Sequence, residues 1–256
     1  MNGAELAHTP GISLVERWYI RLFGAPINGL RIRIRRIMPE ITGSPAAILD
    51  AGCGRAVFSY LLAKKFPGAI ILGVDTDAEQ LRINEAVARA AGINNLQFTR
   101  QDVAALPYDQ EFDMVLSVDN IEHIEDDQRA LASLARALKP GGRLYLHVPA
   151  AERRWFFFAF RTNFDVPGHF RPGYTLAAIS AKIQATGLRI TKACYTYGWL
   201  ENVSNNISYW ITRAEAKNKI VYALLFPLIN FMAWLGRNSR PQKGAGVLVI
   251  AEKKGP

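Results

Sequence analysis

From about residue 46 onward, short apolar runs that end in turn signals alternate with stretches of helical periodicity. The runs "AAILDAG", "AIILGVD", "LQFTRQD", "FDMVLSV" and "GRLYLHVP" read as strands. Helices fall between them, among them "DAEQLRINEAVARAAG" and "DDQRALASLARALKPGG", the latter closed by Gly141 after Pro140. Strand–helix alternation of this kind specifies an α/β fold, a parallel sheet with helices on both faces. Ahead of it, "GLRIRIRRIMPEI" alternates Arg with Ile and imitates a strand. At helical spacing, however, Leu30, Ile34, Ile37 and Ile41 share one face and the arginines take the other, so an amphipathic helix covering the sheet is expected. Downstream follow a helix "YTLAAISAKIQATG", a strand "LRITKACYTY", a long apolar helical region and a final strand "GVLVIAEKK".

Half of the 256 residues are hydrophobic and 21% are charged, enough to bury the core of one large domain or two small ones. A net charge of +9 favours an anionic partner: nucleic acid, an anionic membrane surface or an acidic substrate. Cys53 and Cys194 are the only cysteines and lie far apart, which fits a reducing compartment. The start "MNGAELAHTPGISL" lacks the basic lead and apolar core of a signal peptide, so a cytoplasmic location is expected.

The first strand runs into "ILDAGCGRAVFSYLLAKKF". Gly52 and Gly54 leave no side chain between the backbone N–H groups of such a turn and a ligand. Nicotinamide and flavin folds ask for G-x-G-x-x-G, and Val57 occupies the third position here. An acid, Asp50, stands two residues before the first glycine, and a carboxylate there suits a cationic amine better than a pyrophosphate.

These residues resemble the first motif of the class I S-adenosylmethionine-dependent methyltransferases, acid-x-Gly-x-Gly-x-Gly, with Ala56 in place of the last glycine. Further markers recur in order across roughly residues 45 to 150: Asp75 in "GVDTD", Asp102 in "QDVAALP", the stretch "FDMVLSVDNIEHIED" and the turn "LKPGGRLYLHVP". The resemblance implies S-adenosylmethionine as cofactor and a Rossmann-like sheet of seven mostly parallel strands, the last inserted antiparallel. It also implies an N-terminal helical cap over residues 1–44, a cofactor-binding core over 45–150 and an acceptor-side half over 151–256. The implied cofactor contacts are Asp50, Ala51, Gly52, Cys53, Gly54, Asp75, Thr76, Asp102, Val103 and Ser117. Within that set Asp75 is placed on the ribose hydroxyls and Asp102 on the adenine amine, with the Val103 backbone beside it. Asp75 and Asp77 also suit the capping of the following helix. Cys53 sits inside the loop, where packing suits it better than nucleophilic attack.

Methyl transfer from a sulfonium is a direct displacement, and a base is needed only when the acceptor is protonated. The Asn/Asp-Pro-Pro-aromatic signature of base-modifying relatives is absent from "SVDNIE", and no cysteine stands where pyrimidine carbon methylation would need one, so nucleic acid is not expected as the acceptor. Asp119, Glu122 and His123 fall at i, i+3 and i+4, resembling the Glu-x-x-Glu-His set with which some O-methyltransferases hold a divalent metal. Asp119 departs from that set, and a metal-free site with His123 and His169 in catalytic roles is expected. The segment "RRWFFFAFRTNFDVPGHFRPGY" mixes Trp155, Phe156, Phe157, Phe158, Phe160, Phe164 and Phe170 with Arg153, Arg154, Arg161 and Arg171. Such a mixture suits an amphipathic acceptor with an acidic head. The expected reaction is therefore methylation, preferably on oxygen, of a small hydrophobic or lipid-linked acceptor. The rivals are a soluble enzyme acting on a sugar or other metabolite, and a non-catalytic scaffold.

"IVYALLFPLINFMAWLG", Ile220 to Gly236, is long enough to raise the question of a membrane span. A span would strand the final strand on the wrong side of the bilayer, so an apolar insertion over about 197–245 is expected instead. Thr212 and Glu215 form a capping-box pattern for a helix through Leu225, and Pro227 suits the first turn of a second helix ended by Gly236. Basic flanks point to peripheral contact with an anionic membrane at its inner face; a homodimer interface or core packing would also bury the segment.

Overall fold

The alternation closes into one seven-stranded sheet in the computed structural model, which describes residues 3–154, 160–162, 168–213 and 219–255. Strands β1 (Ala47–Ala51), β2 (Ile70–Asp75), β3 (Leu96–Arg100), β4 (Phe112–Val118) and β5 (Leu138–Pro149) form the first part of the chain's sheet. A two-stranded hairpin of β6 (Glu152–Arg154) and β7 (Phe160–Thr162) stands apart from it. With β8 (Arg189–Thr196) and β9 (Gly246–Glu252) the sheet order is β3-β2-β1-β4-β5-β9-β8, and β9 runs antiparallel to both neighbours. The expected sheet of seven strands with an inserted antiparallel last strand is what the chain forms.

Period-two alternation sends successive strand residues to opposite faces. Ile48, Ile71, Met114, Leu116 and Tyr145 pack under α2 (Asn28–Ile37), α3 (Val57–Lys65) and α4 (Ala78–Ala90). Leu49, Val74, Val115, Leu144 and Val249 pack under α5 (Asp127–Ala137) and α6 (Leu176–Gln184). Helix α5 stops at Ala137, short of the expected Gly141. Pro140 disfavours helix for Lys139, and β5 already pairs from Leu138.

Leu30, Ile34, Ile37 and Ile41 are all buried on the sheet as expected. The arginine face of α2 is not left to solvent, because α7 (Trp199–Arg213) and α8 (Lys219–Leu235) cover it. Arg36 donates two ways to the fully buried Glu201 of α7, and Arg35 donates to Asn230, the polar side chain in the middle of α8, at 2.8 Å.

The apolar region differs from expectation. Thr212 lies in the last turn of α7, its hydroxyl donating to the Ser208 carbonyl at 3.0 Å; its expected partner Glu215 lies outside the described residues. Helix α8 runs straight through Pro227 instead of starting there. A proline inside a helix leaves the carbonyl four residues back without its N–H partner. That carbonyl belongs to Ala223, and the Tyr19 hydroxyl of α1 (Leu14–Phe23) donates to it at 2.6 Å. The long-range bond satisfies the carbonyl that the proline orphans. Among the described residues no helix is long and apolar enough to cross a membrane.

Candidate active site

The C-terminal ends of β1, β2 and β4 carry the glycine turn and its neighbours. Gly52, Gly54 and Ala56 all have positive φ (74°, 48° and 56°), which turns the chain sharply from β1 into α3. A Cβ on Gly52 would collide with the Asn120 side chain, whereas one on Gly54 would meet nothing within 4 Å. The loop is fixed by side chains: Asp75 accepts from the Gly54 N–H at 2.8 Å, and buried Asn84 donates to the Gly54 carbonyl at 2.6 Å. Ser117 donates to the Ala51 carbonyl at 2.9 Å, tying β4 to the end of β1.

In front of this turn lies a cavity of about 300 Å³ lined by Asp50, Gly52, Cys53 and Gly54, with Arg33, Val118 and Asp119 on its far wall. Asp50 is buried and accepts from Ser59 at 2.5 Å; burial raises its pKa to about 6. Burial also pushes the Cys53 thiol far above its ordinary range, so it is no nucleophile. Asp102 accepts from the Ala104 N–H at 2.9 Å as the cap of a 3-10 turn, with Val103 buried behind it. The Thr76 carbonyl accepts from Arg100 at 3.1 Å. Asp75, Thr76, Asp102, Val103, Ala51 and Ser117 are not among the residues that line this cavity. An S-adenosylmethionine molecule fits these residues chemically: a glycine turn whose Gly54 faces open space, a buried carboxylate for a cationic amine, and a second carboxylate, Asp75, beside the turn.

A second cavity, about 330 Å³, lies beyond the first and shares Arg33 and Asp119 with it. Its wall is polar, with Glu122, His123, His147, Arg153 and His169 among its residues. Asp119 adopts a left-handed backbone (φ 49°), a conformation that costs a non-glycine residue about 1 kcal/mol or more and is held only by its surroundings. Its carboxylate pairs with Arg33 of α2 and accepts from His147 Nδ1 at 2.6 Å, and it is not part of the ligand cluster at Glu122 and His123. The expected gathering of Asp119 with those two residues on one helical turn therefore does not form. His147 Nε2 lies 2.9 Å from the Thr196 hydroxyl, and complete burial, with Arg33 nearby, lowers its pKa to about 3, keeping the ring neutral.

Glu122 and His123 sit on a 3-10 turn, Ile121–His123. The loop bearing His169 is drawn onto it because the Phe170 N–H donates to the Glu122 carbonyl at 3.0 Å and Arg171 donates to the carbonyls of Ile124 and Glu125. The two imidazoles meet edge to face with centroids 4.3 Å apart. His123 Nδ1 lies 3.0 Å from the Gly168 carbonyl, which can only accept, so in the neutral ring Nε2 presents its lone pair. Glu122 is buried with Oε2 unpartnered, and burial raises its pKa to about 7. His169 Nδ1 is likewise buried without a partner, and burial lowers that ring's pKa. Ligand atoms of Glu122, His123 and His169 lie within 4.8 Å of one another, close enough to share a cation.

Arg33, His147 and Tyr197 were not singled out as site residues from the sequence, and Arg153 only as part of the mixed aromatic and basic segment. The available signals were a histidine within the otherwise apolar "LYLHVP" and the regular arginines of α2. Of the aromatic segment, Phe170 is exposed and Arg153 is buried, whereas Trp155, Phe156, Phe157, Phe158 and Phe164, and the side chains of Phe160 and Arg161, lie outside the described residues.

The site therefore sets a glycine turn and acids at consecutive strand ends against a Rossmann-like sheet with an antiparallel inserted strand. Residues 48–142 match the family model described as methyltransferase domain. The chain is 34% identical over 115 residues to a ubiquinone biosynthesis O-methyltransferase of Coxiella burnetii, covering 44% of this chain and 48% of that protein. It is 33% identical over 145 residues to a demethylmenaquinone methyltransferase of Thermus thermophilus, covering 56% of this chain and 64% of that one. Among solved structures, a geranyl diphosphate methyltransferase in complex with S-adenosylmethionine superposes with a TM-score of 0.61 at 16% identity, over 96% of this chain and 93% of that one. The chain spans about half the length of the Coxiella relative, and the structural likeness is one of fold. Residues 48–142 are thus similar to methyltransferase domains in sequence, and the chain shares the Rossmann-like fold of S-adenosylmethionine-dependent methyltransferases.

Proposed function

We propose that this chain transfers a methyl group from S-adenosylmethionine to an oxygen atom of a small acceptor whose polar or acidic head occupies the second cavity. The observation that carries the reading is the junction of the two cavities at Arg33 and Asp119: a methyl donor at the glycine turn would face an acceptor across that pair. The cofactor supplies an electrophilic methyl carbon when bound. Asp50 and the Gly52–Gly54 backbone hold its charged amino-acid end, Asp75 its ribose and Asp102 with Val103 its adenine. In the second cavity His123 Nε2 takes the acceptor's proton, His169 orients the acceptor, and Arg153 attracts an anionic head. Arg33 and His147 are positioning residues: both hold the Asp119 carboxylate at the rim that the two cavities share.

A hydrophobic or lipid-linked acceptor is the class we favour, supported by the exposed apolar helices α1 and α8 and by relatives whose names refer to ubiquinone and menaquinone chemistry. The test is transfer of label from S-adenosylmethionine to a panel of quinone-like phenols, lipid acids and sugars. His123→Ala should lower kcat with little change in cofactor affinity. A panel on which wild type and His123→Ala give equal rates would defeat the assignment of His123.

One observation favours a second reading, in which a divalent cation bound by Glu122, His123 and His169 positions the acceptor oxygen. Two ligand atoms of that cluster, Glu122 Oε2 and His169 Nδ1, are buried without partners. Loss of transfer on chelation, restored by added cation, would select it.

A further inference from the structure

Helices α1 and α8 carry thirteen of the seventeen exposed large apolar side chains among the described residues. Single exposed apolar residues are ordinary, but this concentration marks a contact surface. On α8 the residues Phe226, Ile229 and Ala233 are buried, while Leu224, Leu228, Phe231 and Leu235 face outward. Helix α1 has no buried residue and presents Leu14, Trp18 and Leu22 at four-residue spacing. The Tyr19–Ala223 bond and a shared groove of about 680 Å³ hold the two helices side by side.

Charge identifies the occupant. Residues 11–37 and 219–245 hold ten lysines and arginines against one acid, Glu16. Arg33 and Arg36 of these are engaged inward with Asp119 and Glu201. Where α2 meets α8, Arg31, Arg35 and Arg237 line a groove of about 740 Å³ together with Phe23, Phe231 and Trp234, and no carboxylate lines it. The Arg35 Nε and Nη2 atoms are buried there without partners. A second copy of this chain would bring the same positive rim against it and be repelled. An apolar helix pair beside a groove whose lining holds arginines and no carboxylate instead suits a surface that is apolar below and anionic at its headgroups.

We propose that α1 and α8 dock this protein on an anionic phospholipid bilayer, their apolar faces entering the acyl boundary and Arg31, Arg35 and Arg237 receiving a lipid phosphate. The groove between α1 and α8 shares Ile27 and Arg55 with the cofactor-side cavity, so the docked face opens beside the reaction site. The inference deepens the lipid-linked acceptor reading above, but its surface argument does not depend on methyl transfer.

Vesicle flotation tests it, with phosphatidylcholine alone or mixed with phosphatidylglycerol, at low and high salt. Wild type should float with the anionic vesicles at low salt and be released by high salt. R31Q/R237Q should lower that partitioning about thirtyfold, the loss expected for two basic residues at an anionic surface. Leu224→Ser/Phe231→Ser should abolish flotation, and thermal melting of every variant verifies its fold. Absence of flotation by wild type, equal flotation with neutral vesicles, or a stable lipid-free dimer broken by Leu224→Ser/Phe231→Ser would overturn the proposal. S-adenosylmethionine binding measured in parallel separates the two claims: binding without flotation sinks the docking surface alone, and flotation without binding sinks the methyltransferase reading alone.

Discussion

Glu122→Gln isolates the buried carboxyl of the acceptor cavity. The Glu122 side chain is 1% exposed, and burial raises its pKa from 4.5 to about 7 although Arg33 and Arg171 oppose the rise. A carboxyl with a raised folded pKa holds its proton more tightly in the folded state. Its ionisation therefore costs stability, beginning as pH rises past the unfolded value of 4.5 and complete above the folded value near 7. Each pKa unit is worth about 1.4 kcal/mol, so between pH 5 and pH 8 the wild type should lose about 2.5 kcal/mol that Glu122→Gln keeps. Urea unfolding at the two pH values, with cation removed, measures the difference directly. The comparison is between slopes with pH, so any constant cost of burying the amide cancels. Saturating divalent cation should shrink the wild-type loss if Glu122 ligates it, because a bound cation favours the carboxylate. Equal pH dependence in wild type and Glu122→Gln would refute the reasoning, for it would mean that Glu122 ionises as freely folded as unfolded.

Other expected outcomes follow from single contacts. Tyr19→Phe removes the donor to the Ala223 carbonyl below Pro227 and should cost about 1 kcal/mol in urea unfolding, with loosened exchange protection at the N-terminal half of α8. Gly52→Ala places a methyl against Asn120 at φ 74° and should destabilise the turn by about 1 kcal/mol or more while weakening cofactor binding, read by melting and titration. Asp50 titrates near pH 6, and the carboxylate is the form that attracts a cationic amine. Calorimetric affinity for S-adenosylmethionine should therefore fall as pH drops below 6, toward a limit of about tenfold per unit.

What could be read from the sequence was local in the chain. The strands, the glycine turn and the acids at strand ends each announce themselves within a few residues, and Gly52, Gly54 and Asp75 meet where that reading places them. The amphipathic face of α2 was equally legible because four residues at helical spacing define it. The fate of its opposite face was not, since Glu201, Asp119 and Asn230 arrive from distant elements to pair with Arg36, Arg33 and Arg35. The same holds for His147, whose partners Asp119 and Thr196 come from the end of β4 and from β8. Pro227 misled because its local preference is to start a helix, whereas a tyrosine 204 positions away in sequence satisfies the carbonyl it orphans. Asp119, read at helical spacing with Glu122 and His123, was separated from them by one left-handed residue conformation, its own.

The central claim is that the Gly52–Gly54 turn holds S-adenosylmethionine with Asp75 beside it. Isothermal titration of wild type and Asp75→Ala with S-adenosylmethionine tests it most directly. Wild type should bind saturably and one to one, and Asp75→Ala should bind about ten- to a hundredfold more weakly, the effect of removing a charged hydrogen-bond acceptor. Equal affinities, or no binding by the wild type, would contradict it.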